Sequence, residues 1–166
     1  RHPGRYSSLF GPADAVLGIW SRLQHHGWRA AQVRPRQPLF VMSRPSDVPA
    51  DGRVRRARLD EVATVLPASV AMFTEEVGYS PLRGDGGASY RRRVSELIAD
   101  QRTFLRRDGD TVVFKTDLGA LSEQVGQVHG VWIDPRYRGQ GLAAPAMAAV
   151  VSQALKVTPI VSLYVN

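Results

Sequence analysis

The chain has 166 residues, a formal net charge of +7 at pH 7, 43% hydrophobic and 22% charged residues, and no cysteine. That length supports one buried core plus a fragment, and no run of about 18 apolar residues is present to cross a membrane. The missing cysteines exclude disulfides, thiolate nucleophiles and cysteine-ligated zinc, His2, His25, His26 and His129 lack metal-ligand spacing, and no signal-peptide pattern opens the sequence, so a cytoplasmic protein without a metal is expected.

Pro12 to Gln24 carries Val16, Ile19, Trp20 and Leu23 at helical spacing, with Pro12 at the start and Gly27 past the end. Trp28–Val33 and Leu39–Met42 read as short strands around Pro35 and Pro38. Arg44 to Gly52, with two prolines, Asp47 and Asp51, reads as a linker and places a boundary at residue 50. Arg53 to Leu59 alternates as a strand. Asp60 is then expected to cap a helix carrying Val62, Val65 and Leu66, which Pro67 interrupts or restarts before Val70 and Phe73 continue it to Glu76.

Gly78 to Gly87 is a glycine- and proline-rich loop, followed by a helix over Tyr90 to Ala99 with Val94, Leu97 and Ile98 inward. Asp108-Gly109 between Arg102–Arg107 and Thr111–Leu118 signals a hairpin. Gly119 to Gln124 reads as a turn, and Val125 to Ile133 as an apolar strand. Leu142, Ala146, Met147, Val150, Val151 and Leu155 form one helical stripe, and Thr158 to Val165 is a final strand.

The basic residues are dispersed. Arg53, Arg55, Arg56 and Arg58 flank a strand, Arg91 to Arg93 sit on a helix, and Arg106 and Arg107 lie at a turn. A stripe is what nucleic-acid binding would need, so that function is the weaker reading.

Strand, basic glycine-rich turn and helix follow one another from Val131 to Ala143. Glycines let the main chain approach a phosphate, and free N–H groups at a helix start point at it. Two registers fit an Arg-x-x-Gly-x-Gly/Ala spacing: Arg136 to Gly141, and Arg138 to Ala143. Ile133-Asp134-Pro135 favours the second. A dinucleotide-binding reading is weaker, because Ile160 and Val161 stand where an acidic residue is needed.

This loop, with the element order β, α, α, β, β, β, loop, α, β from residue 53 onward, resembles the GNAT (GCN5-related N-acetyltransferase) family. Met72-Phe73-Thr74-Glu75-Glu76-Val77-Gly78, Val113-Phe114-Lys115 and Ser162-Leu163-Tyr164-Val165-Asn166 are similar to a bacterial subgroup with an uncharacterised domain ahead of the transferase. The resemblance implies an α/β (α+β) fold, with a mixed, mostly antiparallel central sheet flanked by helices. Residues 1–50 would be the tail of the preceding domain, and residues 51–166 an acetyltransferase domain lacking its last helix and strands. The family's CoA-contacting Asn and general-acid Tyr would lie beyond residue 166, since Asn166 stands too early to be that Asn; the sequence therefore reads as trimmed at both ends.

The implied reaction is transfer of an acetyl group from acetyl-CoA, the cosubstrate, to a primary amine by direct attack. The acceptor is a small-molecule or peptide amine, and a homodimer is compatible with the family. Backbone at Val131, Trp132 and Ile133 would hold the pantetheine and the thioester carbonyl, acting as an oxyanion hole. Arg138, Gly139, Gln140, Gly141, Leu142, Ala143 and Ala144 would hold the pyrophosphate. Gly130 is placed to allow a bulge that splays the central strands, or simply to pack closely.

Many family members carry a carboxylate midway along this strand, where this chain has Gln127 and His129. Glu75, Glu76 and His129 are the catalytic candidates, Glu75 and Glu76 being adjacent and so unable to share one helix face. An acyl-CoA sensor or scaffold without catalysis, or a basic nucleic-acid-binding module, are the alternatives.

Overall fold

The computed structural model describes residues 9–83 and 85–165. His2, Gly84 and Asn166 lie outside the described residues. Contacts divide the chain into two compact units, one running to Leu39 and including Tyr164 onward, the other spanning Phe40–Leu163.

In the first unit, helix α1 (Ala13–His25) starts directly after Pro12, whose carbonyl accepts the Val16 N–H at 3.0 Å. Val16, Trp20 and Leu23 are half-buried and Ile19 is exposed, so the apolar stripe exists but buries no residue fully. Trp28–Val33 is not a strand, and all six residues are exposed. Their composition suits a strand, but a strand exists only with a ladder partner, which Trp28–Val33 lacks among the described residues. The Phe10 ring stacks on Tyr164 with centroids 6.4 Å apart.

The second unit is built on a sheet of order β1-β6-β5-β4-β3-β2, containing β1 (Leu39–Met42), β2 (Arg55–Arg56), β3 (Thr103–Asp108), β4 (Thr111–Leu121), β5 (Gly126–Ile133) and β6 (Val161–Tyr164). The pairs from β2 to β5 are antiparallel and β5–β6 is parallel. Helices α2 (Val62–Val77) and α3 (Ala88–Ala99) precede the β3–β4 hairpin, whose turn carries Gly109 at φ +54°. Helix α4 (Ala143–Ala154) joins β5 to β6. This mixed α/β architecture has the element order expected from the sequence.

Alternation along the strands sorts the core into two clusters. Phe104, Phe114, Leu118 and Val128 pack with Ala146, Val150 and Val161 on the α4 side. Leu105, Val112 and Trp132 pack with Val65, Leu66, Val94 and Ile98 from α2 and α3. Four buried alanines on α4, Ala146, Ala148, Ala149 and Ala154, leave room for the helix to lie close to the sheet.

Several local expectations are corrected. The strand over 53–59 shrinks to Arg55–Arg56, followed by a 3-10 turn at Leu59–Glu61. Asp60 does not cap α2; its carboxylate pairs with Arg58 at 3.1 Å on the surface. Glu61 takes the structural role: 3% exposed, it accepts the Arg58 N–H (3.0 Å), both arms of Arg55 (2.7 Å each) and Arg107 (3.1 Å). Pro67 sits inside a continuous α2. Its missing donor costs about 3 kcal/mol, offset by the burial of Val65, Leu66, Ala68 and Ser69 around it.

The turn expected from Gly119 instead continues β4 to Leu121. A register shift between Leu118 and Ala120 makes Gly119 the extra residue of a bulge. Of the described residues, no helix is long and apolar enough to cross a membrane.

Candidate functional site

The ladder between β5 and β6 consists of Gly126↔Val161 and Gln127↔Ser162. Beyond Gln127, β5 has no β6 partner among the described residues. On its other edge β5 pairs with β4 through Asp117↔His129 and Lys115↔Trp132, so Gly130 and Val131 together oppose Thr116. This is the bulge expected at Gly130. Its φ is +59°, and a Cβ there would lie 2.7 Å from Met72 Cε and 2.9 Å from Met72 Sδ. Both features select glycine. Thr116 Oγ1 donates to the His129 carbonyl at 2.9 Å and pins the bulge from the neighbouring strand.

The bulge bends β5 where its β6 edge opens. Val131, 37% exposed, and Ile133 face the opening, while Trp132 turns to the opposite face and packs on α2. Val131, Ile133, Tyr137, Arg138, Gly139, Gly141, Leu142 and Ala143 line a cavity of about 280 Å³.

The turn after β5 is organised by Asp134. Its carboxylate accepts the Arg136 N–H at 2.9 Å and the Arg136 guanidinium at 3.0 and 2.8 Å, which holds the Asp134 carboxyl below the usual carboxylate range. Arg136 is thereby engaged with Asp134, and it is Arg138 that stands on the cavity wall. Arg138 Nε donates to the Ile133 carbonyl at 2.9 Å and its Nη2 to Glu75 Oε2 at 2.7 Å.

Gly139 (φ +74°) and Gly141 (φ +72°) take left-handed conformations, and a Cβ on either would meet open space. Backbone bonds close the turn from Tyr137 N–H to Asp134 O (2.8 Å) and Arg138 N–H to Pro135 O (3.4 Å); the next begins at Ala146 N–H to Leu142 O (3.2 Å). The N–H groups between lie at the start of α4, beside the cavity. That arrangement favours a bound anion. Gln140 and Ala144 are exposed, and the Gln140 amide donates to the Arg136 carbonyl at 3.3 Å.

The three catalytic candidates differ in their surroundings. Glu75, at the end of α2, accepts the Trp132 indole N–H at 3.2 Å besides holding Arg138. Glu76 is exposed. The His129 Nε2 lies 2.8 Å from Gln127 Oε1, and its ring covers Gly119, where a Cβ would come 2.3 Å from Nδ1. Burial holds the His129 imidazole below its ordinary pKa, against the opposing pull of Glu76 and Asp117.

A buried polar network lies under this face and was not anticipated. Asp117 accepts from Thr103 Oγ1 at 2.7 Å and pairs with the Lys115 ammonium, with Lys115 only 1% exposed. Tyr90 donates to the Ser69 carbonyl at 2.8 Å, and burial, then the Asp117 charge, pushes its phenol pKa up. The available signal was Lys115 and Asp117 at spacing two within the apolar run that starts at Val112.

Residues 88–165 match the acetyltransferase (GNAT) family, and residues 1–65 match a domain of unknown function (DUF4081). The fold is that of the GNAT family. A GNAT-family acetyltransferase from Colwellia psychrerythraea is similar with a TM-score of 0.56 at 12% identity, over 78% of this chain and 46% of that one. A predicted acetyltransferase with acetyl-CoA from Clostridium acetobutylicum gives 0.51 at 14% identity, over 62% and 73%.

A GCN5-related N-acetyltransferase from Kribbella flavida gives 0.49 at 20% identity, over 66% of this chain and 29% of that one. The chain thus spans less than a third of the Kribbella protein and under half of the Colwellia one. No curated protein matches this chain.

Proposed function

We propose that the protein is an acyl-CoA-dependent N-acyltransferase that moves an acetyl group from acetyl-CoA to a primary amine. The observation that carries this reading is the cavity between the splayed half of β5 and the two left-handed glycines at the start of α4. The C. acetobutylicum structure, described as containing acetyl-CoA, supports the choice of donor.

In this reading the N–H groups from Gly139 to Ala144, with the Arg138 guanidinium, hold the pyrophosphate. Backbone at Val131, Trp132 and Ile133 holds the pantetheine and polarises the thioester carbonyl. A neutral amine attacks the carbonyl carbon, the carbon–sulfur bond breaks, and the CoA thiolate takes up a proton. The amine's own proton must leave, directly or through water. His129 suits that task, since its lowered pKa keeps the imidazole neutral at physiological pH. Glu75 and Glu76 lie on the acceptor side and suit the binding of a small-molecule or peptide amine. Residues 51–166 are the transferase portion and residues 1–50 the tail of a preceding domain.

The test pairs acetyl-CoA-induced thermal stabilisation with thiol release across a panel of amines. With no cysteine in the chain, thiol reagents report CoA alone. Stabilisation together with amine-dependent thiol release is expected. Stabilisation without release from any amine would make the protein a binding module, and no stabilisation would overturn the donor site itself.

A further inference from the structure

Glu75 and Arg138 are 63 residues apart in sequence, yet the Arg138 Nη2 lies 2.7 Å from Glu75 Oε2. The other oxygen of Glu75 accepts the Trp132 indole N–H at 3.2 Å, and Arg138 Nε is spent on the Ile133 carbonyl at 2.9 Å. Each side chain of the ion pair is 47% exposed, so both stand at a surface that a ligand can reach.

We propose that Glu75 competes with the donor's phosphates for Arg138, so that binding of the donor requires the ion pair to open. This inference rests on the donor-site reading above. The guanidinium is the cation on the wall of the cavity, and its bonds carry it around the end of β5 to the C-terminal turn of α2. A pyrophosphate is a stronger, doubly charged acceptor for the same fork of donors. Withdrawing Arg138 leaves the Glu75 carboxylate tied to Trp132 alone, on the acceptor face. Glu75 is thus a positioning residue that makes the acceptor side depend on occupancy of the donor side. Coupling of this kind is reciprocal: whatever holds Glu75 also frees Arg138.

The experiment is calorimetric titration of CoA into the full chain and into Glu75→Gln, Arg138→Gln and the double variant. Glu75→Gln should tighten CoA about two- to fivefold, the size of an exposed ion pair. Arg138→Gln should weaken CoA, and adding Glu75→Gln to it should change nothing further. A second readout uses Trp20→Phe with Trp28→Phe, leaving Trp132 as the single tryptophan. CoA should shift its emission when Glu75 is present, and the shift should shrink in Glu75→Gln. CoA binding that is unchanged or weakened by Glu75→Gln overturns this inference and leaves the donor site standing. Failure of the unaltered chain to bind CoA overturns both.

Discussion

The Lys115 ammonium and the Asp117 carboxylate face each other two residues apart on β4, 1% and 7% exposed. Thr103 Oγ1 takes the other carboxylate oxygen at 2.7 Å, so the charge is both paired and hydrogen-bonded. Such a pair gives little net stability, but losing one partner strands the other charge. Lys115→Met should cost about 3–5 kcal/mol. Lys115→Met with Asp117→Leu should recover most of that loss. Urea denaturation of the two variants checks it; a double variant as unstable as the single one would contradict the account.

Gly130 meets two separate demands, a left-handed backbone and a close approach to Met72. Gly130→Ala therefore carries about 1–2 kcal/mol of backbone strain plus displacement of the Met72 side chain. Met72→Ala removes the contact and leaves the strain. The cost of Gly130→Ala should fall in the Met72→Ala background without vanishing, as a double-mutant cycle in denaturant would show.

Gly141 has φ +72° and open space where a side chain would stand. Gly141→Glu should lower stability by about 1–2 kcal/mol, or about 2–8 °C in melting temperature at this chain length. It places bulk and a negative charge in the proposed phosphate site. The stabilisation by acetyl-CoA should disappear in the same melting experiment, while the variant retains a cooperative transition.

Glu61 is buried among Arg55, Arg107 and the Arg58 N–H, and the Arg55 guanidinium first of all brings its pKa from 4.5 down to about 2. The folded-state value lies below the unfolded one. The stabilisation is therefore complete above pH 4.5 and is lost as pH falls towards 2, an amount of about 3 kcal/mol. Glu61→Gln should be less stable near neutrality and should flatten the acid limb of the stability profile. An acid limb of unchanged slope would remove Glu61 as its source.

The glycine loop was legible because the constraints on its backbone are local. Ile133-x-Pro135, two glycines and an apolar helical stripe are a few residues apart, and each constrains the backbone directly. Element order was legible for the same reason, from Asp108-Gly109 at the hairpin and the stripe through Val150 and Val151. Errors fell where a neighbour decided the outcome: Trp28–Val33 lacked a ladder partner among the described residues, Gly119 joined a bulge with His129 lying over it, and Asp60 yielded to Glu61 once two arginines converged there.

By itself the sequence determined the fold class and the position of the glycine loop, since periodicity and backbone freedom are properties of short segments. Only the tertiary structure decided which side chains meet. It set Arg138 against Glu75 and Arg136 against Asp134, put Lys115 beside Asp117 under the sheet, and turned His129 to Gln127. Those contacts depend on strand register and on the bulge at Gly130, where one extra residue resets which side chains face each other across β4 and β5.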